Sequence, residues 1–192
     1  SFFPGTPYEN PSNPKNLYNP QEAIKLLAEA GWKDHDAQGR LIKSGQPLQI
    51  ELLYSNPESE LFLTPYQDDL RKVGISVNLR LTNPETRFKL MMQRQFQMVA
   101  SGWGAGGVFP DPRPEYHSST ADVENTNNIS GFKDKRIDEL CDAYDHEFDP
   151  AKRAALLQKL DGILTDQHQY ILEWYGPERI SYWNKFGMPQ GT

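Results

Sequence analysis

The sequence predicts an α/β fold, a mixed sheet flanked by helices, from three observations. Segments with helical and with alternating hydrophobic patterns follow one another in turn, which implies crossovers and some parallel pairing. Pro20, Pro84 and Pro150 each follow Asn or Asp and open an amphipathic stretch. Gly31 and Gly74 close the first two helices of the chain.

The elements follow in order. Asn19 caps the first helix, Pro20 suits its first position and Glu22 completes a capping-box spacing. Ala23, Ile24, Leu27 and Ala30 form its apolar stripe. Residues 34–39 make a polar turn leading into Leu41 and Ile42. Leu48, Ile50, Leu52 and Tyr54 then alternate, the mark of a strand with one buried face. A second helix is expected over residues 58–73, started or kinked at Pro65. Ile75, Val77, Leu79 and Leu81 alternate with polar residues as a second strand. Asn83, Pro84 and Glu85 open a helix reaching about Met92. Residues 96–103 are a third strand, whose Val99 and Ala100 predict a deeply buried central position. Residues 104–131 are rich in Gly, Pro, Asp, Ser and Asn and show little periodicity, a length of loop that is usually functional or disordered. Two helices follow. One covers residues 135–147 and presents Ile137, Leu140 and Tyr144; the other starts after Asp149 and presents Ala154, Leu157, Leu160 and Leu164. A last strand is expected over residues 170–175.

Composition excludes several functions. With 20 basic and 26 acidic side chains the net charge is −6, which argues against a nucleic-acid binder. No stretch approaches the roughly 18 apolar residues of a membrane span. Proline is abundant, 15 residues in 192, and four of them lie in residues 1–18, which read as an extended connector without the basic and apolar regions of a signal peptide. The single Cys141 excludes an intrachain disulfide and a Cys cluster, and within its amphipathic helix it reads as a packing residue.

The chemistry-bearing motifs are sparse. Asp34, His35, Asp36 and Gly39 superficially suggest a calcium loop, but the late bidentate Glu is missing. His35, His117, His146 and His168 form no HxxxH pair. No metal and no cofactor are therefore expected. There is no GxSxG elbow, and Gly102, Gly104, Gly106 and Gly107 follow a strand without forming GxGxxG or GKS/T. The chain is read as non-enzymatic; the alternative is a hydrolase in which Asp111 and Glu115 act as an acid–base pair.

The stronger signal is a strand that empties into SGWGAGGVFPDPRPEYH, residues 101–117. Trp103 at the carboxyl end of that strand reads equally as a flat wall of a ligand crevice or as a core plug. Asn125, Asn127 and Asn128 can serve a backbone-like ligand or their own loop. Glu173, Trp174 and Tyr175 read as aromatic packing at a strand end.

Taken together these pieces resemble a known family. They are YNPQEAIKLLAEAGW at residues 18–32, the turn at 34–39, GQPL at 45–48, DLRKVGI at 69–75, FQM at 96–98 followed by Gly102 and Trp103, and Asp111 with Pro112. NISG at 128–131 before DEL at 138–140 completes the order. No single piece is specific, but their order over nearly the whole chain resembles the extracellular solute-binding proteins of bacterial ABC importers, the dipeptide, oligopeptide and nickel-binding family. The ending, with Trp174, Tyr175 and YWNKF at 182–186, is most similar to the subgroup that includes the microcin-C and oligopeptide importers.

The resemblance implies a periplasmic-binding-protein-like lobe. Residues 1–18 would connect to an upstream lobe, 19–168 form the α/β solute-binding lobe, and 169–192 return through the hinge. It also implies a cleft between two lobes that holds a peptide or peptide-like solute and delivers it to a membrane permease. The setting would be the periplasm, or the outer face of the membrane in a Gram-positive host. A sensor or interaction lobe is a further alternative. In the family the region after the glycine–tryptophan strand supplies an acidic residue for the ligand amino group; here Gly104–Gly107 stands in that place and Asp111 is the nearby carboxylate. The resemblance carries ligand contacts onto Trp103, Asp111 and Asn128, and local chemistry adds Tyr116.

Overall fold

The computed structural model describes residues 1–102 and 110–173. Helix α1, Pro20–Glu29, is capped by the Asn19 side chain, which accepts from the Glu22 backbone N–H. Three short antiparallel strands follow, β1 Asp34–His35, β2 Leu41–Lys43 and β3 Gln46–Pro47, in that spatial order. The polar turn before β2 is closed by Asp36, whose carboxylate accepts from the backbone of Gln38 and Arg40 and from Arg40 Nε at 2.7 Å. The acidic turn is thus occupied by its own chain.

A second sheet is wholly parallel. Strand β4, Gln49–Tyr54, runs between β5, Ser76–Leu81, and β6, Met98–Val99. Leu52 pairs with Leu79 on one side and with Met98 on the other. The expected α/β architecture thus holds, its antiparallel and parallel strands forming two three-stranded sheets. The central position differs from expectation. It belongs to β4, where Leu52, Leu53 and Tyr54 are all buried, whereas Met98, Val99 and Ala100 are only half-buried. Three consecutive buried residues mean that both faces of β4 are covered at its carboxyl end, as in parallel sheets generally.

Helix α2, Glu60–Lys72, provides one cover, entered through a 3₁₀ turn at Pro57–Ser59. Pro65 lies inside this helix, not at its start. Leu63 packs with Leu52, Tyr54 and Val77, flanked by Phe62, Tyr66 and Leu70. Helix α3, Pro84–Met92, connects β5 to β6 and is capped by Asn83.

A second core lies apart from this one. It is built by the short α4, Arg113–Tyr116, and by α5, Lys135–His146, and α6, Pro150–Asp166. Tyr116, Ile137, Cys141, Leu160 and Leu164 are its buried residues, with Phe2, Phe3 and Phe132 against them. Residues 1–13 are folded as turns where an extended connector was expected, and they are bound to α6. The carboxylate of Asp161, with no solvent exposure, accepts from Ser1 Oγ, the backbone of Phe2 and Asn10, and Asn13 Nδ2 at 2.7–2.9 Å. Residues 170–173 carry no strand, and the remainder of the expected last strand lies outside the described residues.

Candidate functional site

In an open parallel sheet the ligand crevice lies outside the carboxyl ends of the strands. Here that edge is formed by Tyr54 at the end of β4 and Ser55 after it, by Leu81 at the end of β5, and by Ala100, Ser101 and Gly102 after β6. Arg87 of α3 ties the edge together. Its Nε donates to Ser55 Oγ at 2.9 Å, and its Nη1 donates to the Ala100 carbonyl at 3.1 Å and lies 4.0 Å from Met91 Sδ. The helix presents Arg87 here because Asn83 and Pro84 fix its start one turn earlier. Tyr54 closes the floor, its hydroxyl donating to the Glu60 carboxylate; that bond and burial hold the phenol above its ordinary range.

From Pro110 to residue 133 the chain forms a polar segment. Three devices hold it. Arg113 forks onto α5, with Nε to Asp145 at 2.7 Å and Nη2 to Asp142 at 2.6 Å; both carboxylates keep the guanidinium charged. Arg94, just after α3, donates through Nη2 to the carbonyls of Thr120, Val123 and Asn128 at 2.9–3.2 Å and through Nε to Asn128 again. Glu115 accepts from Asn127 Nδ2 at 3.1 Å, and partial burial raises its carboxyl above the usual range.

The expected ligand residues fall in different settings. Trp103 lies outside the described residues. Asp111 is exposed, and its Oδ1 accepts from the Arg113 backbone N–H at 3.0 Å, a turn that starts α4. Tyr116 is buried in the second core, edge-on to Phe2 with centroids 5.9 Å apart, and burial raises its phenol strongly. Asn128 has no exposure; its Oδ1 accepts from the Phe132 N–H and its Nδ2 donates to the Phe132 carbonyl, both at 2.9 Å. The fold thus commits Tyr116 and Asn128 to shaping the loop. Asp111 and Glu115 each spend a carboxylate oxygen on a neighbour of the same loop. Among the described residues no group of three or more His, Cys, Asp or Glu is arranged to hold a metal.

Sequence reasoning missed Arg87 and Arg94. A signal for Arg87 was present: positions 83, 84, 90 and 91, the neighbours one turn away on its helix, carry no acid, whereas Arg71 has Asp68 and Lys72 has Asp69. Two surface hollows lie elsewhere, one of about 510 Å³ between α5 and α6 at Leu140 and Ile163, the other of about 220 Å³ beside α1 at Trp32.

Comparison with known proteins adds context to this geometry. The family described as bacterial extracellular solute-binding proteins, family 5 (middle), matches residues 1–127. YejA of Escherichia coli K12 is 29% identical over 170 residues, covering 88% of this chain and 28% of that protein. The probable peptide-binding protein YejA of Agrobacterium fabrum is 26% identical over 190 residues, covering 96% of this chain and 31% of its own length. The structure of the Bacillus subtilis oligopeptide-binding protein AppA, in complex with a nonapeptide, superposes with a TM-score of 0.74 at 25% identity, covering 88% of this chain and 35% of AppA. The chain thus spans about a third of the length of the relatives it matches.

Proposed function

The chain belongs to the bacterial extracellular solute-binding proteins of family 5, and from that membership we propose that it forms one lobe of a receptor for peptides or peptide-like solutes. In this reading the receptor holds its solute between two lobes and delivers it to the membrane permease of an ABC importer. It works in the periplasm or on the outer face of the cell membrane, and it has no catalytic activity. No helix among the described residues is long and apolar enough to cross a membrane.

The observation that carries this reading is the open carboxyl edge of the parallel sheet. It exposes Ser101 and Gly102 and places the polar side chains Ser55 and Arg87 beside backbone groups, the mixture that recognises a peptide main chain. Trp103 and Asp111 remain solute contacts in this proposal. Tyr116 and Asn128 enter it as residues that shape the segment of residues 110–133. Closure of two lobes on a solute is the hinge motion common among such receptors.

Native mass spectrometry of the full-length protein, mixed with a tripeptide-to-pentapeptide library, tests the proposal. The expected result is intact peptides bound one per protein. Recovery of no peptide contradicts it, and cleavage of the library lost on Asp111→Asn supports the hydrolase alternative.

A further inference from the structure

We propose that Arg87 is a carboxylate anchor, so that the solute taken at this edge carries a free carboxylate. The proposal rests on the reading of the chain as a peptide-binding lobe and adds the chemical group that one subsite demands.

The described arginines sort by what they touch. Arg40, Arg71, Arg80, Arg113 and Arg136 are paired with carboxylates of this chain. Arg94 is spread over the backbone carbonyls of one loop, and Arg153 donates to the Glu147 carbonyl and lies over the Tyr144 ring, 3.8 Å from its centroid. Arg87 is different. It is half-buried, and it pairs with no carboxylate among the described residues. Its Nε is spent on Ser55 and its Nη1 on Ala100, while Nη2 has no hydrogen-bond partner among the described residues.

Those two bonds do more than satisfy donors. They fix the guanidinium plane between the ends of β4 and β6, so little rotamer freedom is left to lose when an anion arrives. A guanidinium is planar, permanently charged and shaped for carboxylate oxygens, and its partial removal from water strengthens the pairing. A half-buried cation lacking a counter-ion is a cost to the fold unless something else neutralises it. The position supplies the rest: the guanidinium is held at the carboxyl edge of the sheet by Ser55 and the Ala100 carbonyl, and Ala100 leads into exposed Ser101 and Gly102. A terminal carboxylate or an acidic side chain of the solute has the matching chemistry.

The test uses the full-length protein and a tripeptide-to-pentapeptide library prepared in three forms: free acids, C-terminal amides, and amides carrying one internal Glu. Wild type is expected to bind free acids at least about tenfold more tightly than plain amides. Arg87→Gln is expected to bind acids and amides alike, at the wild-type amide level, and Arg87→Lys to restore part of the preference. If the internal Glu restores affinity to the amides through Arg87, the anchor takes side-chain carboxylates; if it does not, the anchor reads the peptide terminus. Peptide binding that ignores the carboxylate in wild type, or a preference that survives Arg87→Gln, overturns the anchor and leaves the peptide reading standing. Failure of every library form to bind overturns the peptide reading and the anchor with it.

Discussion

Arg94 shows most plainly how one residue couples local backbone cost to tertiary gain. The helices α1 and α2 end in the same motif, in which a residue with positive φ lets the next N–H reach back five residues, Trp32 to Leu27 and Ile75 to Leu70. Glycine fills that position twice, Gly31 at +90° and Gly74 at +83°. After α3 the same bond forms from Gln95 to Leu90, yet the residue at φ +53° is Arg94. A side chain there costs on the order of 1 kcal/mol, offset by the hydrogen bonds that clamp residues 120–128. Arg94→Ala keeps the strain and loses the clamp, so it should destabilise by about 2–3 kcal/mol and speed hydrogen exchange across that loop. Arg94→Gly relieves the strain and should recover roughly 1 kcal/mol of the loss, measured by denaturant unfolding. Asp161 is the other buried hub. Asp161→Ala leaves the Phe2 and Asn10 amides without their acceptor, and exchange at those two should rise while that of β4 is unchanged. Cys141 is a control for burial: its thiol is fully enclosed and pushed up to about 12 by desolvation, so at neutral pH it should resist alkylation until the protein unfolds.

At the scale of elements, helix punctuation carried most of what was legible in the sequence. Asn19, Asn83, Asp134 and Asp149 each accept a backbone N–H at a helix start, and three of the four helices so capped open on proline. The central strand was harder to read. The alternation of Leu48 to Tyr54 suggested one buried face because Glu51 and Gln49 are polar, but Leu53 shows that the strand passes from a half-covered start to a fully covered end. The small antiparallel sheet was seen only as a turn, since strands of two or three residues have no measurable period. Gly74 joins the two sheets: its carbonyl accepts from the Leu41 N–H at 2.8 Å, and a Cβ there would lie 2.7 Å from Leu41 Cγ. Gly74→Ala should therefore cost on the order of 2 kcal/mol, lowering Tm by about 5 °C in a calorimetric scan. At α5 the Arg136 guanidinium holds the Asp134 carboxyl below its ordinary range. The folded state then binds fewer protons than the unfolded state, so this contribution is present above the usual Asp value of about 3.9 and is lost as pH falls through the lower folded value. Asp134→Asn keeps an N-cap side chain but removes the charge, and should flatten acid unfolding below about pH 4 relative to wild type.

Across the whole molecule two cores meet through polar connections. The parallel sheet with α2 forms one, and α4, α5, α6 and the N-terminal turns form the other. Arg94 reaches from the end of α3 to the loop that leads into α5, so the sheet layer and the polar loop are tied by one side chain. Asn128 and Tyr116 carry the right chemistry for a peptide, but the fold spends Asn128 on the backbone of Phe132 four residues on and Tyr116 on long-range packing against Phe2. Arg87 was missed for the converse reason, because its environment is assembled from Ser55 and Ala100, distant in sequence. The central claim is that solute binds at the carboxyl edge of the parallel sheet. Hydrogen–deuterium exchange of the full-length protein, with and without a bound peptide from the library, tests it most directly. The account predicts slowed exchange over residues 54–56, 84–92 and 98–102; slowing confined to α1 or to the α5–α6 pair would contradict it.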